Sequence, residues 1–112
     1  MKCTHAATGR LLAKQVEEAY TFWARLKGLM GRRNLATHTA LLLDPCPQVH
    51  TCFMRFGIDV VFLDRQNRVV AVAENLTPWH FSHFYPSARR ALELPASTLQ
   101  GCVHPGDELI FN

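Results

Sequence analysis

Two short apolar runs, Ile58–Leu63 and Arg68–Ala73, flank the tetrapeptide Asp64-Arg65-Gln66-Asn67. From Val60 to Leu63 and from Val69 to Ala73 every residue is apolar, and most are β-branched. Runs of this kind, joined by turn-forming residues, predict an antiparallel hairpin. After glycine, asparagine best tolerates the left-handed backbone such loops need, and Asn67 is placed to supply it. A strand apolar at consecutive rather than alternate positions is covered on both faces. The hairpin is therefore expected at the centre of the fold, with a layer on each side.

The chain has 112 residues, which is the common size of one domain, so residues 1–112 are read as a single domain. Apolar residues make up 48% and charged residues 19%, a globular composition that excludes disorder. Large catalytic architectures such as the eightfold barrel are excluded too, since they need about 250 residues.

The remaining elements are short. Arg10–Glu18 mixes apolar and polar residues and reads as a strand. In the segment 20–31, Tyr20, Trp23, Leu26 and Met30 recur at spacings of three and four and share one helical face. Together with Leu12 and Val16 they are expected in the core. Thr21 is placed to cap the helix and Gly31 to end it, with Arg25, Lys27, Arg32 and Arg33 near the C-terminal end, where cations suit the dipole. Ala40–Leu43 reads as a strand stopped by Asp44-Pro45-Cys46-Pro47, because proline cannot donate to a ladder. Val49–Met54 alternates and reads as a strand. The proline-bracketed, aromatic segment Asn75–Arg89 fits no period and reads as a long loop. Ala91–Leu94 and Leu109–Phe111 complete the strands, with a turn at Pro105-Gly106-Asp107. The expected fold is mainly β, or α+β: a small β-sandwich or partly open barrel of short strands with one helix near residues 20–31.

Lysine and arginine number 12 and aspartate and glutamate 9, for a net charge of +3. The basic residues are scattered, whereas a dedicated nucleic-acid binder shows a denser stripe. The cysteines are Cys3, Cys46, Cys52 and Cys102. No apolar signal region precedes Gln15, so the expectation is a cytoplasmic protein with reduced thiols. The longest apolar stretches, Leu41–Leu43 and Val60–Leu63, are too short to span a bilayer, so no membrane partner is expected.

Several pieces occur in a specific order: Gly28-Leu29-Met30-Gly31-Arg32 with Leu35; His50-Thr51 with Met54; Ile58-Asp59-Val60-Val61-Phe62-Leu63-Asp64; Arg68-Val69-Val70; Pro78; Leu92-Glu93-Leu94-Pro95; and Gly106-Asp107. Their combination resembles the domain-of-unknown-function 192 family of small bacterial and archaeal proteins, over nearly the whole chain. The resemblance implies a compact β-rich, sandwich-like domain with a helical segment near the glycine-leucine-methionine piece. It implies no catalytic residue, because the family has no settled activity. Many relatives carry an export signal or lipid anchor, and this sequence shows neither. Ser97 stands where the family pattern usually has glycine, so the turn after Ala96 is expected to differ.

Four groups of residues merit a chemical reading. Cys46, His50 and Cys52, with His80, His83, Cys102 and His104 elsewhere, are of the types that bind zinc, but their spacings fit no zinc ribbon or finger. No metal and no cofactor are expected. Cys52 with His50 or His80 is a conceivable thiol nucleophile, set against a buried, inert thiol. His50, Asp59 and Glu93 are polar residues inside apolar strands; they either line one pocket or satisfy local backbone amides. Trp79, His80, Phe81, His83 and Phe84 form either an exposed binding surface or an inward-folded end of the sandwich, and the inward reading is favoured.

No serine elbow, phosphate loop or paired-carboxylate spacing is present. The expected function is therefore non-enzymatic binding of a protein or small ligand, with His50, Asp59, Glu93, Trp79, His80 and His83 as candidate site residues. An enzyme using His50, Cys52, Asp59 or Glu93 in a cleft is the alternative. Weak nucleic-acid binding through Arg25, Lys27, Arg32, Arg33, Arg89 and Arg90 is the third reading.

Overall fold

A computed structural model describes residues 1–112. Its elements are β1 (Cys3–His5), β2 (Leu11–Ala13), β3 (Gln15–Ala19), α1 (Phe22–Lys27), β4 (Thr39–Leu43), β5 (Ile58–Leu63), β6 (Val69–Leu76), β7 (Arg90–Pro95) and β8 (Leu109–Phe111). They form a three-stranded sheet in the order β2-β1-β8 and a five-stranded sheet in the order β3-β4-β7-β5-β6. The fold is a small β-rich sandwich with one short helix, and neither sheet closes into a barrel.

The five-stranded sheet is the middle layer. One face carries Leu42, Val61, Leu63, Leu92 and Leu94 and packs on Cys3, Leu12, Ala13 and Leu109 of the smaller sheet. The other carries Leu41, Leu43, Val60, Phe62 and Ala91 and packs on Leu29, Cys46, Val49, Met54 and Ala88 from the connecting segments. β5 is buried at all six positions, as a strand covered on both faces must be. Its hairpin partner β6 is the sheet edge and is only partly covered. Asn67 closes the hairpin with φ 63°, and the Asp64 carboxylate accepts from the amides of Gln66 and Arg68 at 2.8 and 3.0 Å.

Three sequence expectations are corrected. The segment 10–18 is two strands, not one, split at Lys14 and distributed between the two sheets. The segment Val49–Met54 is not a strand. Phe53 takes φ 64°, which breaks the extended run, and only His50 bridges, to Phe81. The helix is shorter than 20–31 because Gly28, with φ 45°, ends it three residues before Gly31. Its start is as expected: the Thr21 hydroxyl accepts from the Ala24 amide at 3.1 Å.

The helix also turns its apolar residues outward. Tyr20, Phe22, Trp23 and Leu26 are exposed, Trp23 at 73%, and α1 buries no residue of its own. Helical spacing marks an apolar side without saying what covers it. Two turns are too short to lie across the sheet, and Leu29, just beyond the cap, anchors the segment instead.

Asp59 is fully buried and structural in its contacts. Its carboxylate accepts from the amides of Asn75 at 2.8 Å, Ser97 at 3.3 Å and Leu99 at 3.0 Å, pinning the end of β6 and the segment after β7 to β5. Ser97 takes φ 65°, the left-handed region that glycine enters most readily. At the far end, buried His5 bridges Thr8 at 2.8 Å and Asp107 at 2.9 Å, tying β1 to the turn before β8.

Candidate functional site

Register across the central strands sets the site. Asp59 pairs with Leu94 and Val60 with Glu93. Side chains alternate along a strand, so Glu93 lies on the face of Ala91 and Val60, and Asp59 lies on the opposite face. Glu93 thus points toward the layer built by α1 and the loops.

There it forms part of a cleft of about 50 Å³, lined also by Arg25, Gly28, Cys46, His50 and Met54. Glu93 is 3% exposed, and no protein group hydrogen-bonds its carboxyl. Burial pushes its pKa up to about 8, with Arg32 pulling weakly the other way. At neutral pH the group is therefore mostly a neutral acid, with one O–H donor and one C=O acceptor. Gly28 caps α1 directly above it. A Cβ at Gly28 would stand 3.7 Å from Glu93 Oε1, and φ 45° suits glycine there.

The other polar groups of the cleft are donors. Arg25 Nε is buried and has no hydrogen-bond partner, while its Nη1 donates to the Pro45 carbonyl at 3.2 Å. The Cys52 amide donates to His50 Nδ1 at 3.2 Å, which leaves the proton of the neutral ring on Nε2. The Cys46 thiol donates to the Gln48 carbonyl at 3.0 Å; burial, and then Glu93, push its pKa up to about 11. It is a protonated wall of the cleft, not a nucleophile.

Two loops frame the opening, and backbone bonds zip them together. Thr51 N donates to the His80 carbonyl at 2.8 Å, Trp79 N to the Thr51 carbonyl at 3.1 Å, and Ser82 N to the Val49 carbonyl at 2.9 Å. The buried Thr51 hydroxyl donates to the Thr77 carbonyl at 2.6 Å and accepts from the His80 amide at 2.9 Å. This ladder sets Phe53 beside Trp79, and Phe81 beside His50, which lines the cleft. The Phe53 and Trp79 rings meet at a tilt of 59° with centroids 4.7 Å apart, and the Phe81 ring centroid lies 5.9 Å from that of His50.

Trp79, Phe81 and Phe84 are 62%, 70% and 59% exposed, so the expectation that they fold inward is corrected. The core on that face is already filled by Phe62, Met54 and Val49, with Tyr85 against Phe62 at 4.8 Å. Phe53 and Trp79 both hold positive φ, 64° and 66°, a conformation bulky residues rarely take.

Of the residues singled out in the sequence, the structure brings His50 and Glu93 to one cleft, while Trp79 lies against Phe53 and lines none of it. Asp59 is across the sheet. The His80 Nδ1 lies within 3.1 Å of the Thr77 and Pro78 carbonyls and closes its own turn. His83 is exposed, with its ring 6.2 Å from that of Tyr85. No three of the histidine, cysteine and acidic side chains group as metal ligands. The arginines proposed as a nucleic-acid face are divided: Arg25 and Lys27 border the cleft, Arg32 pairs with Glu17 at 3.1 Å, and Arg89 pairs with Asp44 at 3.0 Å. Sequence reasoning missed Arg25, Gly28 and Cys46 as members of the site. The available signal was that Gly28-Leu29-Met30, His50 with Met54, and Glu93 belong to the ordered motif pieces, and all six residues line this cleft.

The family model described as "Uncharacterized ACR", domain of unknown function 192, matches residues 3–111. The chain belongs to the DUF192 family. A DUF192 relative, a UPF0127 protein of Thermococcus sibiricus, is 29% identical over 106 residues, covering 90% of this chain and 68% of the relative. A solved structure of a protein of unknown function from Novosphingobium aromaticivorans superposes with a TM-score of 0.83 at 20% identity, covering 98% of this chain and 82% of that one. A Sinorhizobium meliloti protein, described as a candidate transcription regulator, superposes with a TM-score of 0.79 at 27% identity, covering 97% and 89%. These likenesses place the DUF192 fold and leave its chemistry to the cleft. No helix of the chain is long and apolar enough to cross a membrane.

Proposed function

We propose that this protein is a non-enzymatic recognition domain, and that its cleft receives the acceptor-bearing tip of a protein partner. The observation that carries this reading is the pairing, in one cleft, of the Glu93 carboxyl, 3% exposed and without a protein hydrogen-bond partner, and Arg25 Nε, which is buried and unpartnered. Buried polar groups in native folds are nearly always satisfied, and an unsatisfied one calls for a partner from outside.

Size and polarity narrow the occupant. About 50 Å³ holds roughly four waters, at 10–15 Å³ each, or one carboxylate, and not a drug-sized molecule. The body of the ligand must therefore lie outside, where Phe22, Leu26, Phe53, Trp79 and Phe81 offer exposed apolar surface. The neutral Glu93 acid, Arg25 Nε–H and the His50 ring supply donors, so a carboxylate or carbonyl tip is the complement. The strained backbone at Phe53 and Trp79 supports the same reading, since such strain collects at binding sites.

Recognition is favoured over catalysis because no titratable side chain hydrogen-bonds Glu93 and the nearby Cys46 thiol is held protonated. The catalytic alternative draws on one feature, a carboxyl whose pKa lies near the working pH in a cleft with His50.

The test is an NMR titration with 3-phenylpropionate, which joins an aromatic body to a carboxylate. Amide shifts centred on Gly28, His50 and Glu93 are expected. They should persist in Glu93→Gln, whose amide keeps one donor and one acceptor, and vanish in Glu93→Leu. Unchanged shifts in Glu93→Leu would overturn the reading.

A further inference from the structure

The cleft does not end at its mouth. Phe22, Arg25 and Leu26 line a shallow surface together with Pro45, Pro47 and His50. Pro45 and Pro47 also line the next depression, with Arg65, Phe84 and Arg89. Arg65 and Arg89 line a third, with Arg90 and Asp44, a groove of about 450 Å³ that no apolar residue lines. The three share members in sequence, so they form one continuous path over the two prolines.

The charge along this path is one-sided. Arg25 and Lys27 stand at the cleft, and Arg65, Arg89 and Arg90 at the far end. The other acid on the path is Asp44, already engaged by Arg89 Nε at 3.0 Å. That contact fixes the Arg89 guanidinium and leaves its terminal nitrogens without a protein partner. Arg90 is steadied with its guanidinium 5.2 Å from the centroid of the Phe111 ring. Arg65 makes no ion pair. Arginine forks held in this way match carboxylates bidentately.

We infer that this path is a docking track for an extended acidic segment of a partner protein, with one carboxylate in the Glu93 cleft and further ones along Arg65, Arg89 and Arg90. The inference rests on the recognition reading above and adds the partner's chemistry. A single-stranded nucleic acid is the competing occupant of an arginine groove beside an exposed ring such as Phe84. The cleft favours the peptide: its floor admits a carboxylate but no nucleobase.

The test is fluorescence anisotropy with a labelled peptide of alternating leucine and glutamate. About ten residues at roughly 3.3 Å each span the 34 Å long axis of the molecule. Comparison probes are the same peptide with glutamine for glutamate, and a labelled oligothymidylate. The acidic peptide should bind, weaken steeply with salt, and lose roughly fivefold or more in the double variant Arg65→Ala/Arg89→Ala. The glutamine peptide should bind weakly and be indifferent to the variant. Equal affinity of wild type and variant for the acidic peptide overturns the track. Oligothymidylate binding tighter than the peptide, and lost in the variant, overturns the peptide assignment. If the peptide fails to bind while 3-phenylpropionate still shifts Gly28, His50 and Glu93, the track falls and the cleft reading stands. If neither binds, both fall.

Discussion

Asp59 and Glu93 stand one register step apart on neighbouring strands and point to opposite faces of the same sheet. Both are buried acids, and their environments separate them completely. Asp59 accepts from three backbone amides. Glu93 has no hydrogen bond and keeps its proton to about pH 8.

That contrast sets the pH dependence of stability. Glu93 has an ordinary pKa of 4.5 and a folded value of about 8, so between those values the folded state holds a proton that the unfolded state has lost. Stability from this group is therefore present below about 4.5 and is lost as pH rises towards 8. The loss is up to roughly 5 kcal/mol at about 1.4 kcal/mol per unit. Arg25 and Lys27 of the helical segment, Arg32, and His50 and Cys46 of the loop are the charged and titratable groups around it. In Glu93→Gln the slope should flatten, and at pH 9 the variant should be the more stable protein. Urea unfolding at pH 5, 7 and 9 measures both.

Asp59→Ala should act on the fold alone. It leaves the amides of Asn75, Ser97 and Leu99 without their acceptor, that of Leu99 in the buried interior. At about 1–3 kcal/mol for each buried unsatisfied group, a loss of roughly 4 kcal/mol is expected. Guanidinium unfolding measures it. If enough protein stays folded, the 3-phenylpropionate shifts at the cleft should be unchanged.

Trp23 and Trp79 are 73% and 62% exposed, and they are the two tryptophans of the chain. Emission from both should be red-shifted and readily quenched by acrylamide. Single Trp23→Phe and Trp79→Phe variants assign the signals, and a blue-shifted, quencher-resistant Trp79 would contradict the exposed rim.

The sequence carried the β5–β6 hairpin openly, because β5 is apolar at consecutive positions and Asn67 suits its loop, but the expected central, doubly covered placement holds for β5 alone, since β6 is the sheet edge. It carried the start of α1 through Thr21. Three-residue strands such as Cys3–His5 are too short to show a period. Val49–Met54 alternates as a strand would, yet its backbone bonds go to the loop at 79–82, and only tertiary pairing reveals that. The apolar side of α1 was visible, but spacing alone does not tell a core face from one that awaits a partner. His50 and Glu93 were recognisable as polar residues among apolar ones. That Asp59 parts from them follows from the β5–β7 register, which no single strand encodes.

Glu93 is a neutral acid with no protein hydrogen-bond partner in a receptive cleft. The most direct test is the side-chain carboxyl carbon shift of Glu93, followed by NMR across pH with and without 3-phenylpropionate. A midpoint near 8 in the free protein, moving higher when the carboxylate binds, is the predicted result. A midpoint in the ordinary range near 4.5, unmoved by the ligand, would contradict it.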